Sequence, residues 1–187
     1  LYILYTWIIF VPLFLVLTLL TALITIVGCF FGGERIFAYW PGRIWSWLTC
    51  HLALCPVKVR GRENIPSGQS CIFVSNHQGA FDIFLIYGFL GVPFKWVMKS
   101  GIKKIPFVGD ACRAAGFIFV EKATPGGTAN IIREAEKYLS NGVSIVIFPE
   151  GSRTYDGKMV RFRKGAFQLA TDLNMPLVPI TLNGPYE

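Results

Sequence analysis

The sequence predicts an α/β domain built on a mostly parallel sheet flanked by helices, preceded by an N-terminal membrane-seated helical module. Three observations carry that prediction. The first 33 of the 187 residues hold no charged side chain, Glu34 being the first, although 16% of the whole chain is charged. From Val57 onward, short β-branched runs alternate with helical stretches and glycine punctuation, the rhythm of strands joined by helices. Outside the apolar stretch there is no internal repeat or low-complexity tract. The boundary falls near residue 55, giving a two-helix module over 1–55 and an α/β domain over 56–187, long enough to bury a core of its own.

Leu1 to Val27 is longer than a signal-peptide core and lacks both a basic n-region and a small-residue cleavage site, so it reads as retained. As a helix it would run about 40 Å against a hydrocarbon core of about 30 Å, and so must tilt, kink near Pro12 or leave the bilayer at one end. Arg35 to Leu54, with Trp40, Trp45 and Trp47 and few charges, suits the membrane interface; packing on the globular domain is its alternative. Val57 to Arg60 reads as a short strand, and Ser70 to Val74 as a buried strand ending at Ser75-Asn76-His77. Ala80 to Leu90 has helical spacing and stops at Gly91-Val92-Pro93. Lys95 to Met98 and Phe117 to Val120 are strand candidates. Thr128 to Leu139 is an amphipathic helix with Thr128 as its cap and Asn141-Gly142 as its end. Val143 to Phe148, apolar at five positions in six, is the clearest strand and leads into Pro149-Glu150-Gly151. A helix over Ala166 to Asp172 and a strand over Leu177 to Leu182 complete the pattern. The chain begins at Leu1 rather than Met, so residues upstream of it are expected.

Eighteen Lys and Arg against eleven Asp and Glu give a net charge of +7. Next to a membrane segment, that charge points to anionic headgroups or phosphorylated substrates, and no basic recognition helix or RNA-binding aromatic signature points to nucleic acid. Five scattered cysteines, Cys29, Cys50, Cys55, Cys71 and Cys112, read as buried thiols of a reducing compartment, with the α/β domain expected on the cytoplasmic face of a membrane. Cys50-His51 with Cys55 lacks a second ligand pair, so no metal is expected.

Ligands of open parallel sheets bind beyond the carboxyl ends of the strands, where two polar loops fall. In the first, Asp82 follows His77 by five residues at the start of a helix, with Gly79 between them to let the backbone turn. A carboxylate so placed can hold one imidazole tautomer and stabilise the imidazolium, leaving the other ring nitrogen as a general base; simple helix capping is the alternative. No Gly-x-Ser-x-Gly elbow supplies a nucleophile, so such a base would act on a substrate hydroxyl. In the second loop, Glu150-Gly151-Ser152-Arg153 sets a guanidinium on a glycine turn, where it could grip a phosphate by two points.

Asn76-His77 with Asp82, Gly116-Phe117-Ile118-Phe119-Val120, Phe148-Pro149-Glu150-Gly151-Ser152-Arg153 and Val178-Pro179-Ile180 resemble, in order, the four blocks of the glycerolipid acyltransferases, most nearly the bacterial 1-acylglycerol-3-phosphate acyltransferases. Val97-Met98-Lys99 to Pro106 and Phe162-Arg163-Lys164-Gly165 resemble further segments, so the likeness covers nearly all of Val57 to Gly184. The resemblance implies transfer of a fatty acyl group from a thioester, acyl-CoA or acyl carrier protein (acyl-ACP), to the free 2-hydroxyl of lysophosphatidic acid. The product would be phosphatidic acid, made among membrane lipids without a cofactor. It implies His77 as base and Asp82 as its orienting partner. It implies a substrate-binding set of Asn76, Lys99, Gly116, Lys122, Glu150, Gly151, Ser152, Arg153 and Pro179. Where many relatives place an acidic residue followed by Arg after the Ile-Phe pair, this chain has Glu121-Lys122. Oxyanion donors are expected at the helix entrance after Gly79. Transfer to glycerol 3-phosphate or another lysophospholipid, and a non-catalytic lipid-binding role, are the alternative readings.

Overall fold

The structure is a computed structural model that describes residues 1–120, 127–139, 141–154 and 158–184. Their contacts form two compact units. One is helical and takes in Leu1–Arg60, Ile83–Gly91 and Gly101–Gly116; the other takes in Gly61–Asp82, Val92–Ser100 and the described residues of Phe117–Glu187.

The helical unit starts with α1 (Tyr2–Tyr5), passes through a π-helical turn over Thr6–Phe10, and continues as α2 (Val11–Phe30). The π turn sits where Pro12 imposes it. Proline has no N–H to offer the carbonyl four residues back and its ring crowds that carbonyl, so the preceding turn widens. Together Tyr2–Phe30 has a mean hydropathy of 2.7 over its most apolar window, and it alone among the described helices is long and apolar enough to cross a bilayer. A left-handed turn at Gly32 leads into α3 (Glu34–Phe37) and α4 (Trp40–Leu52). Polar pins join α4 back to the long helix: Trp45 Nε1–H donates to Thr18 Oγ1 at 3.0 Å, and the Tyr5 hydroxyl donates to the Leu52 carbonyl at 2.7 Å. Trp45 also packs against Phe14 and Phe84, whereas Trp40 and Trp47 stay exposed. Helix α5 (Phe81–Phe89) gives this unit its residues from Ile83 onward, and α6 (Val108–Ala114) packs on α2.

The sheet unit holds five strands: β1 (Ile72–Ser75), β2 (Phe94–Lys99), β3 (Ile118–Val120), β4 (Ser144–Ile147) and β5 (Leu177–Ile180). They lie in the order β3-β2-β4-β1-β5, and every pairing is parallel. Ile72, Val74, Ile118 and Ile145 pack against Ala135 and Leu139 of α7 (Gly127–Leu139) and against Ala166, Leu169 and Ala170 of α8 (Gly165–Asp172). Phe73 and Val146, which alternate with these residues, are also fully buried. Burial on both faces explains why the central strands read as continuous apolar runs. The fold class is therefore the expected one, an open parallel sheet flanked by helices with an apolar helix ahead of it.

Two local expectations change. Val57 to Arg60 is irregular rather than a strand: it pairs with no other strand, and Val59 is exposed between Lys58 and Arg60. Helix α6, which no sequence pattern announced, fills the stretch before β3.

Topology places the functional edge. From β1 the chain passes to β2 and then β3, toward one side of the sheet; from β3 it returns to β4 and crosses to β5 on the other side. The connections after β1 and β4 thus leave in opposite directions although the two strands are neighbours. Neighbouring strands whose connections leave in opposite directions form a topological switch point, the place beyond the carboxyl ends where ligands of open parallel sheets bind. Ile145 lies at the centre of the core that supports it, with no exposed surface. Ile145→Ala is expected to cost about 2–5 kcal/mol of stability through lost burial and a residual cavity, read as a lowered thermal midpoint of the detergent-solubilised protein.

Candidate active site

The switch point joins the two polar loops. In the ladder between β1 and β4, Ile72 pairs with Ile145, Phe73 with Val146 and Val74 with Ile147. Continued three residues past the last pair, the same register sets His77 opposite Glu150. The contact is made: His77 N–H donates to Glu150 Oε1 at 2.6 Å, and the Thr154 N–H donates to the His77 carbonyl at 3.0 Å. The β4 loop therefore holds the His77 backbone at both its donor and its acceptor.

The His77 side chain is held as well. Its Nδ1 lies 2.7 Å from Asp82 Oδ2, and Asp82 is wholly buried at the start of α5. A carboxylate only accepts, so Nδ1 carries a proton, and in the neutral ring Nε2 then holds the lone pair. Asp82 Oδ2 also accepts the N–H groups of Gln78 at 2.6 Å and Gly79 at 3.0 Å. Those two amides, which precede the helix entrance, are thus taken by Asp82. Behind the imidazole, the Phe148 ring stacks at 4.0 Å between centroids and 12° between planes, with Trp96 of β2 stacked on Phe148 at 5.5 Å. The ring is thereby fixed on one face by an aromatic and along one edge by a carboxylate, and Nε2 has no hydrogen-bond partner among the described residues. Such a nitrogen can accept a proton without the ring having to turn.

The other candidates separate into groups. Asn76 is buried, and its amide makes a two-point contact with Leu182: Nδ2 donates to the Leu182 carbonyl at 2.9 Å and Oδ1 accepts the Leu182 N–H at 2.8 Å. Glu150 is buried, and its second oxygen accepts the Val160 N–H at 2.8 Å. Arg153 is exposed one residue before Thr154, with no partner among the described residues. Gly151 turns in the left-handed region at φ 74°, with the Arg163 guanidinium over it; a Cβ there would lie 3.0 Å from Arg163 Cζ. Ser152 follows in the same loop, half-buried. Lys99 ends β2 opposite Val120, exposed on the same carboxyl edge of the sheet. Pro179 sits opposite Val74 in β5, an edge strand where its missing N–H costs no ladder bond. Gly116 closes α6 in a left-handed turn at φ 69° and belongs to the helical unit. Lys122 lies outside the described residues. Phe148, Trp96, Thr154 and Val160 were not singled out for the site from sequence. A signal existed for Phe148, adjacent to the Pro149-Glu150-Gly151 turn, but none for Trp96.

The thiols stay out of this chemistry. None of the five cysteines forms a disulfide, and burial pushes Cys50 up to about 12 and Cys112 up to about 11, so both remain protonated at physiological pH. His51 Nδ1 lies 2.8 Å from the Trp47 carbonyl. Among the described residues, no group of three His, Cys, Asp or Glu side chains is placed to hold a metal ion.

An imidazole tied to a buried carboxylate, at the switch point of an open parallel sheet and beside an exposed guanidinium, defines a site able to move a proton on an anionic ligand. The chain belongs to the acyltransferase family, whose pattern, described as Acyltransferase, matches residues 56–183. It is 33% identical over 152 residues to the chloroplastic 1-acyl-sn-glycerol-3-phosphate acyltransferase BAT2 of Brassica napus, covering 81% of this chain and 44% of that one. It is 33% identical over 138 residues to the 1-acyl-sn-glycerol-3-phosphate acyltransferase of Pseudomonas aeruginosa, covering 73% of this chain and 53% of that one. The chain thus spans about half the length of these relatives. The crystal structure of the 1-acyl-sn-glycerophosphate (LPA) acyltransferase PlsC from Thermotoga maritima superposes with a TM-score of 0.65 at 31% identity, covering 92% of this chain and 75% of that one.

The turn that carries Arg153 depends on Gly151. Gly151→Ala is expected to destabilise the protein by about 1–2 kcal/mol, the cost of a side chain in the left-handed region, with Arg163 displaced besides. Thermal unfolding in detergent checks this, and an unchanged midpoint contradicts it.

Proposed function

We propose that the protein is a membrane-bound 1-acylglycerol-3-phosphate acyltransferase, moving a fatty acyl group from a thioester, on coenzyme A or acyl carrier protein, to the 2-hydroxyl of lysophosphatidic acid. The observation that carries this reading is the 2.7 Å contact between His77 Nδ1 and buried Asp82, which leaves Nε2 as the available base. The names of the relatives support lysophosphatidic acid as the acceptor, and the 29-residue apolar helix supports residence in a membrane. The exposed cations and the free thiols fit a domain on the cytoplasmic face.

In the proposed reaction, His77 Nε2 takes the proton of the 2-hydroxyl as its oxygen bonds to the thioester carbonyl carbon. Asp82, already bonded at Nδ1, stabilises the imidazolium that forms. The tetrahedral intermediate collapses with cleavage of the C–S bond. The thiolate leaves readily because its conjugate thiol has a pKa near 8.5, and the proton held by His77 restores the free thiol. Activation of the alcohol and its alignment with the thioester are the demanding parts. Arg153 serves the alignment by holding the acceptor phosphate, which fixes the glycerol backbone against the carbonyl.

His77→Ala is expected to abolish acyl transfer while the protein still folds and inserts in membranes. Release of free thiol from acyl-CoA, followed with and without lysophosphatidic acid, checks this; undiminished turnover removes His77 from the mechanism. Arg153→Ala is expected to raise the KM for lysophosphatidic acid about tenfold or more, the loss of a charge-assisted contact, with a much smaller change for the acyl donor. A raised KM for the donor alone would assign Arg153 to the donor site.

A further inference from the structure

The proposed base acts only if the His77 ring is correctly placed, and the backbone bearing that ring is gripped from the opposite loop. Glu150 is 4% exposed, and each of its oxygens accepts one backbone N–H: Oε1 that of His77 at 2.6 Å, Oε2 that of Val160 at 2.8 Å. Neither Lys nor Arg pairs with it among the described residues. We propose that Glu150 is a positioning residue for His77 and not a ligand of the acceptor: its carboxylate clasps the β1 loop to the segment at Val160, so that the imidazole lands between Asp82 and the Phe148 ring. This inference rests on the reading of His77 as base.

Three physical points carry it. Both oxygens are committed to short, charge-assisted bonds, so the side chain cannot swing to a ligand without leaving two backbone amides without their partner. A carboxylate turned toward a phosphate would also repel it, whereas here the negative charge is hidden and the cation of the same loop, Arg153, is exposed. Finally, the clasp continues the β1–β4 register, since His77 and Glu150 are offset by the same 73 positions as Val74 and Ile147. The sheet therefore presents the amide to the carboxylate with little freedom left to lose. A glutamine at this position could accept from one amide only and would set its own NH2 against the other.

These 187 residues contain two histidines, so this chain labelled with [15N]histidine in detergent gives two backbone amide signals, His77 and His51 of α4. In the unsubstituted protein, the His77 amide proton is expected well downfield of the ordinary amide range, the signature of a short bond to a carboxylate. An ordinary shift overturns the clasp without recourse to any variant. In Glu150→Gln, the His77 amide and ring signals are expected to move while those of His51 stay. The kcat is expected to fall roughly ten- to hundredfold, the weakening of one buried charge-assisted bond, with the KM for lysophosphatidic acid within about twofold. A raised acceptor KM with unmoved His77 signals would make Glu150 a substrate ligand, and unchanged kinetics with unmoved signals would leave it no role in placing His77; either overturns the proposal. The underlying reading fails separately: if His77→Ala still transfers acyl groups, the base is wrong, while the His77 amide shift continues to judge the clasp.

Discussion

The parallel register between β1 and β4 is the constraint on which the site depends. Each strand alone ends in a polar loop of ordinary composition. Paired with Val74 opposite Ile147, they bring His77 opposite Glu150 and set Phe148 under the imidazole. A slip of one residue would turn every buried side chain of the strand to its other face, so the core that excludes the slip also excludes any other pairing of the loops. Ile72, Phe73, Ile145 and Val146 have no exposed surface, and the arrangement of the site is in this sense a product of core packing.

Burying two carboxylates next to one histidine carries an electrostatic cost that the backbone offsets. Asp82 and Glu150 are both buried, and neither pairs with Lys or Arg among the described residues. An ion removed from water requires replacement hydrogen bonds or a countercharge. Asp82 Oδ2 receives three donors, from Gln78, Gly79 and His77 Nδ1, and Glu150 receives two. Asp82 Oδ1 has no partner among the described residues, so most of the stabilisation converges on the oxygen that faces His77. This asymmetry suits the role proposed for Asp82, meeting charge that develops on the ring, because the donors are in place before that charge appears.

Much of the fold was legible in the sequence because its signals are local. The runs at Ser70–Val74 and Val143–Phe148 are apolar enough to be buried strands whatever surrounds them, and Gly91 and Gly142 end helices by their own conformational freedom. Val57 to Arg60 misled because strand character is conferred by a partner, and it has none among the described residues. The dyad was legible for the same reason of locality, His77 and Asp82 being five residues apart. The partners of Asn76 and Glu150 were not: Leu182 lies 106 positions from Asn76, and His77 lies 73 from Glu150. The Trp96–Phe148–His77 stack draws on three strands or their loops, so only the strand order reveals it.

That distance changes how the polar residues of the family blocks divide. Sequence places Asn76, Glu150 and Arg153 together as substrate-binding candidates, since each is polar and close to the dyad or the glycine turn. Geometry separates them by what each polar group already holds. Asn76 and Glu150 spend their amide and carboxylate on backbone groups, which closes β1 against the segment beyond β5 and against the β4 loop. Arg153 is left exposed, and so is Arg163, whose guanidinium covers Gly151. The acids are hidden and the cations face out. An approaching phosphate therefore meets positive charge first, although two carboxylates lie within hydrogen-bond distance of the His77 backbone or ring. A site arranged this way fits the proposed function, in which an anionic acceptor is attracted by charge and the negative groups orient the base.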